Sequence, residues 1–147
     1  MQWSRGTNAG FSTAKAESLY LPVDPDFDRP NVESQERDSD SLLNFIRKLL
    51  TLRKITPALG VHGEFIPLHA EPNIYPFVYL RRAMQRSYLV ILNPGAAPVQ
   101  IQCQLNIEYG TQPKLIVGGG VELAYTGGCL SIHAEGISSG IFEMPTV

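Results

Sequence analysis

Residues 99–105 read VQIQCQL, and no other stretch restricts the fold so tightly. Val99, Ile101, Cys103 and Leu105 alternate with Gln100, Gln102 and Gln104, the period of two that belongs to a strand with one face on a core and one in water. Val121, Leu123 and Tyr125 repeat the pattern against Glu122, Ala124 and Thr126, and Gly127 and Gly128 then supply the positive φ angles of a two-residue hairpin. Tyr88 to Leu92 is apolar on both faces, as in a central strand. The same reading gives candidate strands at Glu64 to His69, Tyr75 to Arg82, Ser87 to Asn93, Val99 to Leu105, Lys114 to Val117, Val121 to Thr126, Cys129 to Ala134 and Gly140 to Met144. About eight short strands at this spacing predict a mainly β fold, an antiparallel β-sandwich.

Ahead of the strands stands one amphipathic helix, predicted within Asp38 to Pro57. Leu42, Phe45, Ile46, Leu49 and Leu50 fall at helical spacing, with Arg47, Lys48, Thr51 and Lys54 opposite. Asp38, Ser39 and Asp40 are placed to accept from its first-turn amides, Arg53 and Lys54 suit its negative end, and Pro57 stops it. The preceding residues 1–37 form a long N-terminal loop, with prolines at 22, 25 and 30 and no sustained period. So long an irregular stretch is foreign to a compact domain unless something else shapes it. It is expected to lack order of its own or to lean on a neighbouring chain.

A hydrophobic fraction of 44% against 18% charged residues is enough to build a core. The net charge of −2 comes without any run of Lys or Arg, so neither nucleic acid nor an anionic membrane is an expected partner. No apolar run approaches the roughly 20 residues of a membrane span, and no signal segment follows Met1, which leads to the cytoplasm as the expected location. The two cysteines, Cys103 and Cys129, are too few for a disulfide framework and are compatible with free thiols or with a strained pair.

Candidate chemistry is sparse. Asp24, Asp26 and Asp28 alternate like the carboxylates of a calcium loop, but Arg29 and Gln35 stand where that loop needs Gly and a bidentate Glu. His62, His69 and His133 lack ligand spacing, so no metal and no cofactor is expected. Gly118, Gly119 and Gly120 precede a strand rather than a helix and read as a tight turn. Glu33, Glu36, Asp38 and Asp40 cluster before the helix, where capping and the helix dipole account for them without catalysis. Tyr75, Phe77 and Tyr79 share one face of a strand. They are either core residues or a row on which sugar rings stack, as in a carbohydrate-binding module.

The opening block MQWSRGTNAGFS closely resembles one in α-glucosidase-type enzymes of the α-amylase family, glycoside hydrolase family 13, which includes oligo-1,6-glucosidases, maltases, sucrose isomerases and trehalose synthases. The likeness continues through SLYLPV (residues 18–23), NVESQ (31–35) and DSLLNFIRKLLTLRK (40–54), in the family's order, although Tyr20 stands where many members carry Trp. The resemblance implies that residues 1–59 are a remnant of a catalytic (β/α)8 barrel, loop 1–37 and last helix about 39–56, and that 60–147 is the C-terminal β-sandwich domain. It also implies a retaining mechanism whose nucleophile, general acid and second Asp lie on earlier strands, so no residue here inherits a catalytic role. Gln2 and Trp3 would lie nearest the rim of the active-site face. The chain is then a non-catalytic C-terminal region of an enzyme that hydrolyses or transfers α-glucosyl units of short saccharides. Its expected partners are the missing barrel or, through Leu42, Phe45, Ile46, Leu49 and Leu50, a second copy of itself. Rival readings are the carbohydrate-binding module and a non-catalytic interaction subunit that resembles the family.

Overall fold

A computed structural model describes residues 2–105 and 111–145; Met1, with which the first block opens, lies outside the described residues. The chain divides into two compact units, Met1–Thr51 and Leu52–Val147, and the division falls inside its long helix.

In the first unit, residues 2–37 are bonded to themselves, which corrects the expectation of a loop without order of its own. The carbonyl of the fully buried Ala9 accepts from the N–H groups of Trp3 at 2.9 Å and Ser4 at 3.2 Å. Asn8 Nδ2 donates to the carbonyls of Ser12 at 3.0 Å and Ala14 at 2.7 Å. Single 3₁₀ turns at Thr7–Gly10 and Ala16–Ser18 lead to a short helix, α1 (Val32–Arg37). The order arises from side chains that bond nearby backbone, which carries no periodicity for a sequence reading to detect.

The predicted amphipathic helix is α2 (Leu42–Ile55). Its first turn is capped by other residues than expected: Ser41 Oγ accepts from the Asn44 N–H at 3.3 Å, and Gln35 Oε1 from the Leu43 N–H at 3.0 Å. Asp38 instead accepts from the Asp40 N–H at 2.9 Å. Asn44 Nδ2 ties α2 to α1 by donating to the carbonyls of Gln35 (2.9 Å) and Asp38 (2.8 Å). No residue of α2 is buried. Its apolar stripe is split, with Phe45 and Leu49 half-buried while the ridge Leu42, Ile46 and Leu50 stands 68, 43 and 60% exposed.

The second unit continues through a 3₁₀ turn, Pro57–Leu59, into six antiparallel strands: β1 (Glu64–His69), β2 (Phe77–Ala83), β3 (Arg86–Asn93), β4 (Val99–Gln104), β5 (Lys114–Thr126) and β6 (Cys129–Glu143). All eight candidate strand segments lie in or overlap these strands, because two pairs of them join into the long β5 and β6. The Gly118–Gly120 stretch is accordingly no turn but an irregular mid-strand passage, with positive φ at Gly118 and Gly120 and register shifts on either side.

β6 is the hub. One edge pairs with β5 along its length, and the other with β4 over residues 129–134 and with β3 over 138–143. Between those halves the strand bends, with Ile137 at φ 53°. A strand that changes partners at a bend turns one curled sheet into two facing layers. The core lies between them: Val78, Leu80, Leu89, Ile91 and Phe142 from one half, and Cys103, Val121, Tyr125, Leu130, Ile132 and Ala134 from the other.

Candidate functional site

Gln2 and Trp3 sit on a parallel bridge between Gln2 and Asn31, and their backbone carbonyls do the observable work. The first turn of a helix leaves amides without intrahelical partners. Gln2 O accepts from the Val32 N–H at 2.9 Å, Trp3 O from the Glu33 N–H at 3.0 Å, and Asn31 Oδ1 from the Ser34 N–H at 2.9 Å. These three residues thus cap α1 together. Asn31 is 1% exposed; residues 31–35 read as a strand-like or helical turn, a reading that does not single Asn31 out as the cap, although Asn is among the residues most favoured at a helix N-cap. The Gln2 side chain adds a buried Oε1 with no hydrogen-bond partner among the described residues, and the Trp3 ring is 56% exposed.

The nearby carboxylates are committed to structure. Glu33 pairs with Arg37 at 2.6 Å, Glu36 with Arg47 at 2.8 Å, and Asp28 lies 3.6 Å from Arg5, whose guanidinium also covers the Phe27 ring at 4.9 Å. Asp24 and Asp26 accept from the N–H groups of Asp26 and Asp28, both at 2.9 Å, and so close Asx turns. Among the described residues no three His, Cys, Asp or Glu side chains converge as a metal-binding group. A retaining glycosidase needs one free nucleophilic carboxylate about 5 Å from a protonated one, and Glu33 and Glu36 have basic partners instead.

In the second unit the aromatic row is rearranged. β2 begins at Phe77, so Tyr75 falls outside it, with its ring edge beside Gly95. The third member is Phe65 of β1, at 4.9 Å from Tyr79 and 6.4 Å from Phe77, while Phe77 and Tyr79 are 5.0 Å apart. The core reading of these rings is corrected: Val78 and Leu80, on the opposite face of β2, are the core residues, at 0 and 5% exposure. Where both faces of a strand are apolar, alternation does not reveal which is inward. The rings are inclined by 34 to 42° to one another, an edge-packed cluster rather than one plane. Burial raises the pKa of the Tyr79 hydroxyl, against a smaller opposing effect of the Arg81 guanidinium.

Both cysteines are free thiols. Cys103, in the core, has its pKa pushed up by burial and by the neighbouring Cys129. His69 Nδ1 lies 2.7 Å from the Pro76 carbonyl and His133 Nε2 lies 3.2 Å from Glu135 Oε1.

Residues 1–62 match the family described as alpha amylase, catalytic domain. Among curated proteins, the trehalose synthase/amylase TreS of Mycobacterium tuberculosis (strain ATCC 25618 / H37Rv) is 43% identical over 83 residues, which cover 53% of this chain and 14% of that protein. The probable oligo-1,6-glucosidase 2 of Bacillus subtilis (strain 168) is 38% identical over 94 residues, 63% of this chain and 16% of that protein. The trehalulose synthase MutB of Pseudomonas mesoacidophila MX-45 superposes with a TM-score of 0.73 at 27% identity, over 97% of this chain and 24% of that one. The chain therefore spans a small part of the length of each relative. Among the described residues no helix is long and apolar enough to cross a membrane.

Proposed function

Because the chain belongs to the α-amylase family of glycoside hydrolases, among its α-glucosidase-type members, we propose that it is the non-catalytic C-terminal region of an enzyme that hydrolyses or transfers α-glucosyl units of short saccharides. The observation that carries this reading is the division of the match. The catalytic-domain likeness ends at residue 62, and the six-stranded unit follows almost at once. In this reading the catalytic acids stand on a barrel outside the chain, and residues 1–59 are that barrel's closing segment. Their carboxylates hold helices and turns rather than substrate, as the ion pairs of Glu33 and Glu36 indicate. The β-domain's contribution is to cover apolar surface of the barrel, and the enzyme works in the cytoplasm.

The partner is accordingly the rest of the catalytic domain. Where that is missing, the exposed ridge Leu42, Ile46 and Leu50 favours a second copy of the chain, since an apolar face left in water drives association. A carbohydrate-binding role has less support, because the tilted rings offer no common plane for a pyranose.

Two measurements test the proposal. The chain alone, assayed on an α-glucoside such as p-nitrophenyl α-glucoside or isomaltose, shows no turnover; measurable turnover overturns it. The coding sequence upstream of Met1 encodes the acidic triad of a retaining glycosidase, and its absence leaves the interaction-subunit reading instead.

A further inference from the structure

Among the described residues, three strands of the second unit have a ladder on one side alone: β1 on β2, and β4 and β5 on β6. An open edge offers unpaired N–H and C=O groups to any other strand, and soluble proteins block such edges with proline, charge, bulges or covers. Two of the three are blocked in this way. β1 carries Pro67, a register shift between Pro67 and His69, and Glu64 at its start. β5 is interrupted by the Gly118–Gly120 passage. Further along it the Gln112 side chain stands in for a neighbouring strand, accepting from the Tyr125 N–H at 2.8 Å and donating to the Tyr125 carbonyl at 2.7 Å.

β4 has none of these devices: it holds no proline and no charge, and its register on β6 runs without a bulge. β1 passes near it, but no ladder joins the two. The direction of its backbone groups follows from one bond. The Leu105 N–H donates to the Gly128 carbonyl at 2.7 Å, on the β6 side, and in an antiparallel ladder alternate residues turn their backbone groups to opposite edges. Val99, Ile101, Cys103 and Leu105 therefore bond towards β6, whereas Gln100, Gln102 and Gln104 direct N–H and C=O outward. The same three glutamines are exposed on the solvated face of the strand.

We propose that the outer edge of β4 is the interface of a two-fold dimer, in which it pairs antiparallel with β4 of a second copy of the chain. Self-complementarity chooses the occupant. Only residues whose backbone groups point outward can exchange hydrogen bonds across this edge, so glutamine must oppose glutamine. Full overlap of the three places the two-fold axis at Gln102: Gln100 faces the partner's Gln104, and the two copies of Gln102 face each other. In that register Val99 and Ile101, both half-buried, come opposite the partner's Leu105 and the partner's Cys103 on the core side. Apolar residues thus meet apolar ones, amides meet amides, and no charge faces a like charge. Glutamines set opposite one another also join through their side-chain amides.

The test uses the full chain with Leu42→Ser and Ile46→Ser, in which the ridge of α2 no longer contributes. Sedimentation equilibrium gives a dimer at high concentration, and hydrogen exchange of the Gln102 amide slows as concentration rises while that of Leu123, on the outer edge of β5, does not change. Gln102→Lys sets like charges face to face, and Gln102→Pro removes the central donor at a position where an edge strand tolerates proline; each raises the dissociation constant by ~tenfold or more. Ala124→Lys, the same charge on β5 of the same face, moves it by no more than ~twofold, as for a position remote from the interface. An equimolar mixture of Gln102→Lys and Gln102→Glu chains recovers the dimer. A Gln102→Pro chain that does not fold is replaced in the comparison by the two charged variants. A chain that stays monomeric, a dimer indifferent to Gln102→Lys, equal losses at Gln102 and Ala124, or a mixture that does not recover overturns the proposal. So does a chain that stays single yet takes up an added peptide of residues 99–105, since the edge then serves an extended segment of another protein.

Discussion

Asn93 is the residue on which the bend of β6 depends, and its replacement makes a quantitative test of the second unit. It ends β3 at 1% exposure. Its Nδ2 faces three carbonyl oxygens, those of Glu135 at 2.8 Å, Ala97 at 3.0 Å and Ala134 at 3.3 Å, and its Oδ1 accepts from the Gly95 N–H at 3.2 Å. Asn93→Leu keeps the branched shape of the side chain but removes its donor and acceptor, which strands the buried Ala134 carbonyl, the part-buried carbonyls of Ala97 and Glu135 and the Gly95 N–H without this partner. At about 1 to 3 kcal/mol for each stranded group, the loss is about 2 to 4 kcal/mol. For a unit of this size that lowers the thermal midpoint by roughly 10 to 20 °C.

Asn93→Asp carries a sign as well. A carboxylate facing three carbonyl oxygens is destabilised in its charged form, so the folded-state pKa rises above the ordinary value of about 3.9. The variant's stability relative to the parent chain is therefore fully present below about pH 4 and lost as pH rises through the folded pKa. Urea unfolding followed by circular dichroism at pH 4 and pH 7.5, each compared with the unsubstituted chain, reads both effects. A loss under about 1 kcal/mol for Asn93→Leu, or a deficit for Asn93→Asp that is the same at both pH values, refutes the reasoning.

Three further outcomes follow from the same structure. Gly118→Ala sets a Cβ against the Ser139 carbonyl at φ +109° and costs about 2 to 4 kcal/mol in urea unfolding, whereas Gly119→Ala, with nothing within 4 Å of its Cβ, changes stability by less than about 0.5 kcal/mol. Because the Cys103 pKa is raised above its ordinary value of 9.0 in the fold, the stability it contributes is present below pH 9 and declines as pH rises beyond it; the decline vanishes in Cys103→Val, and Cys129 alkylates faster than Cys103 in the parent chain. Light scattering of the concentrated chain gives a mass above that of the monomer, and Leu42→Ser with Ile46→Ser lowers it; a strictly monomeric parent chain counts against association through that ridge.

Much of the second unit was legible because its signals are local. Gln100, Gln102 and Gln104 are exposed where alternation puts them outward, while Ile101 is half-buried and Cys103 and Leu105 are buried. Gly127 and Gly128 take the positive φ angles expected of the hairpin. The division of β5 into two expected strands follows from Gly118–Gly120, whose composition is that of a chain reversal. Gly118 and Gly120 instead let one strand shift register and continue, a choice made by its partner on β6 rather than by its own residues. The aromatic row failed for a related reason: β2 and β3 are apolar on both faces, and which face is inward depends on what covers the other. In the first unit the stripe of α2 was legible, but its caps were not. Gln35 reaches Leu43 across eight positions of sequence, and no neighbour signal carries a contact of that kind.

The central place of β6 also sets the order in which the second unit can be completed during synthesis. The strands β1, β2 and β3 pair in sequence as they emerge, but β4 and β5 find their ladders only on β6, which follows both in the chain. Until residues 129–134 have been made β4 has no ladder, until 138–143 have been made β3 and β5 keep an unpaired edge, and Leu89 and Ile91 lack part of the layer that buries them. An emerging chain of this design carries its apolar surface and open strand edges almost to the end of translation, the interval in which aggregation competes with folding.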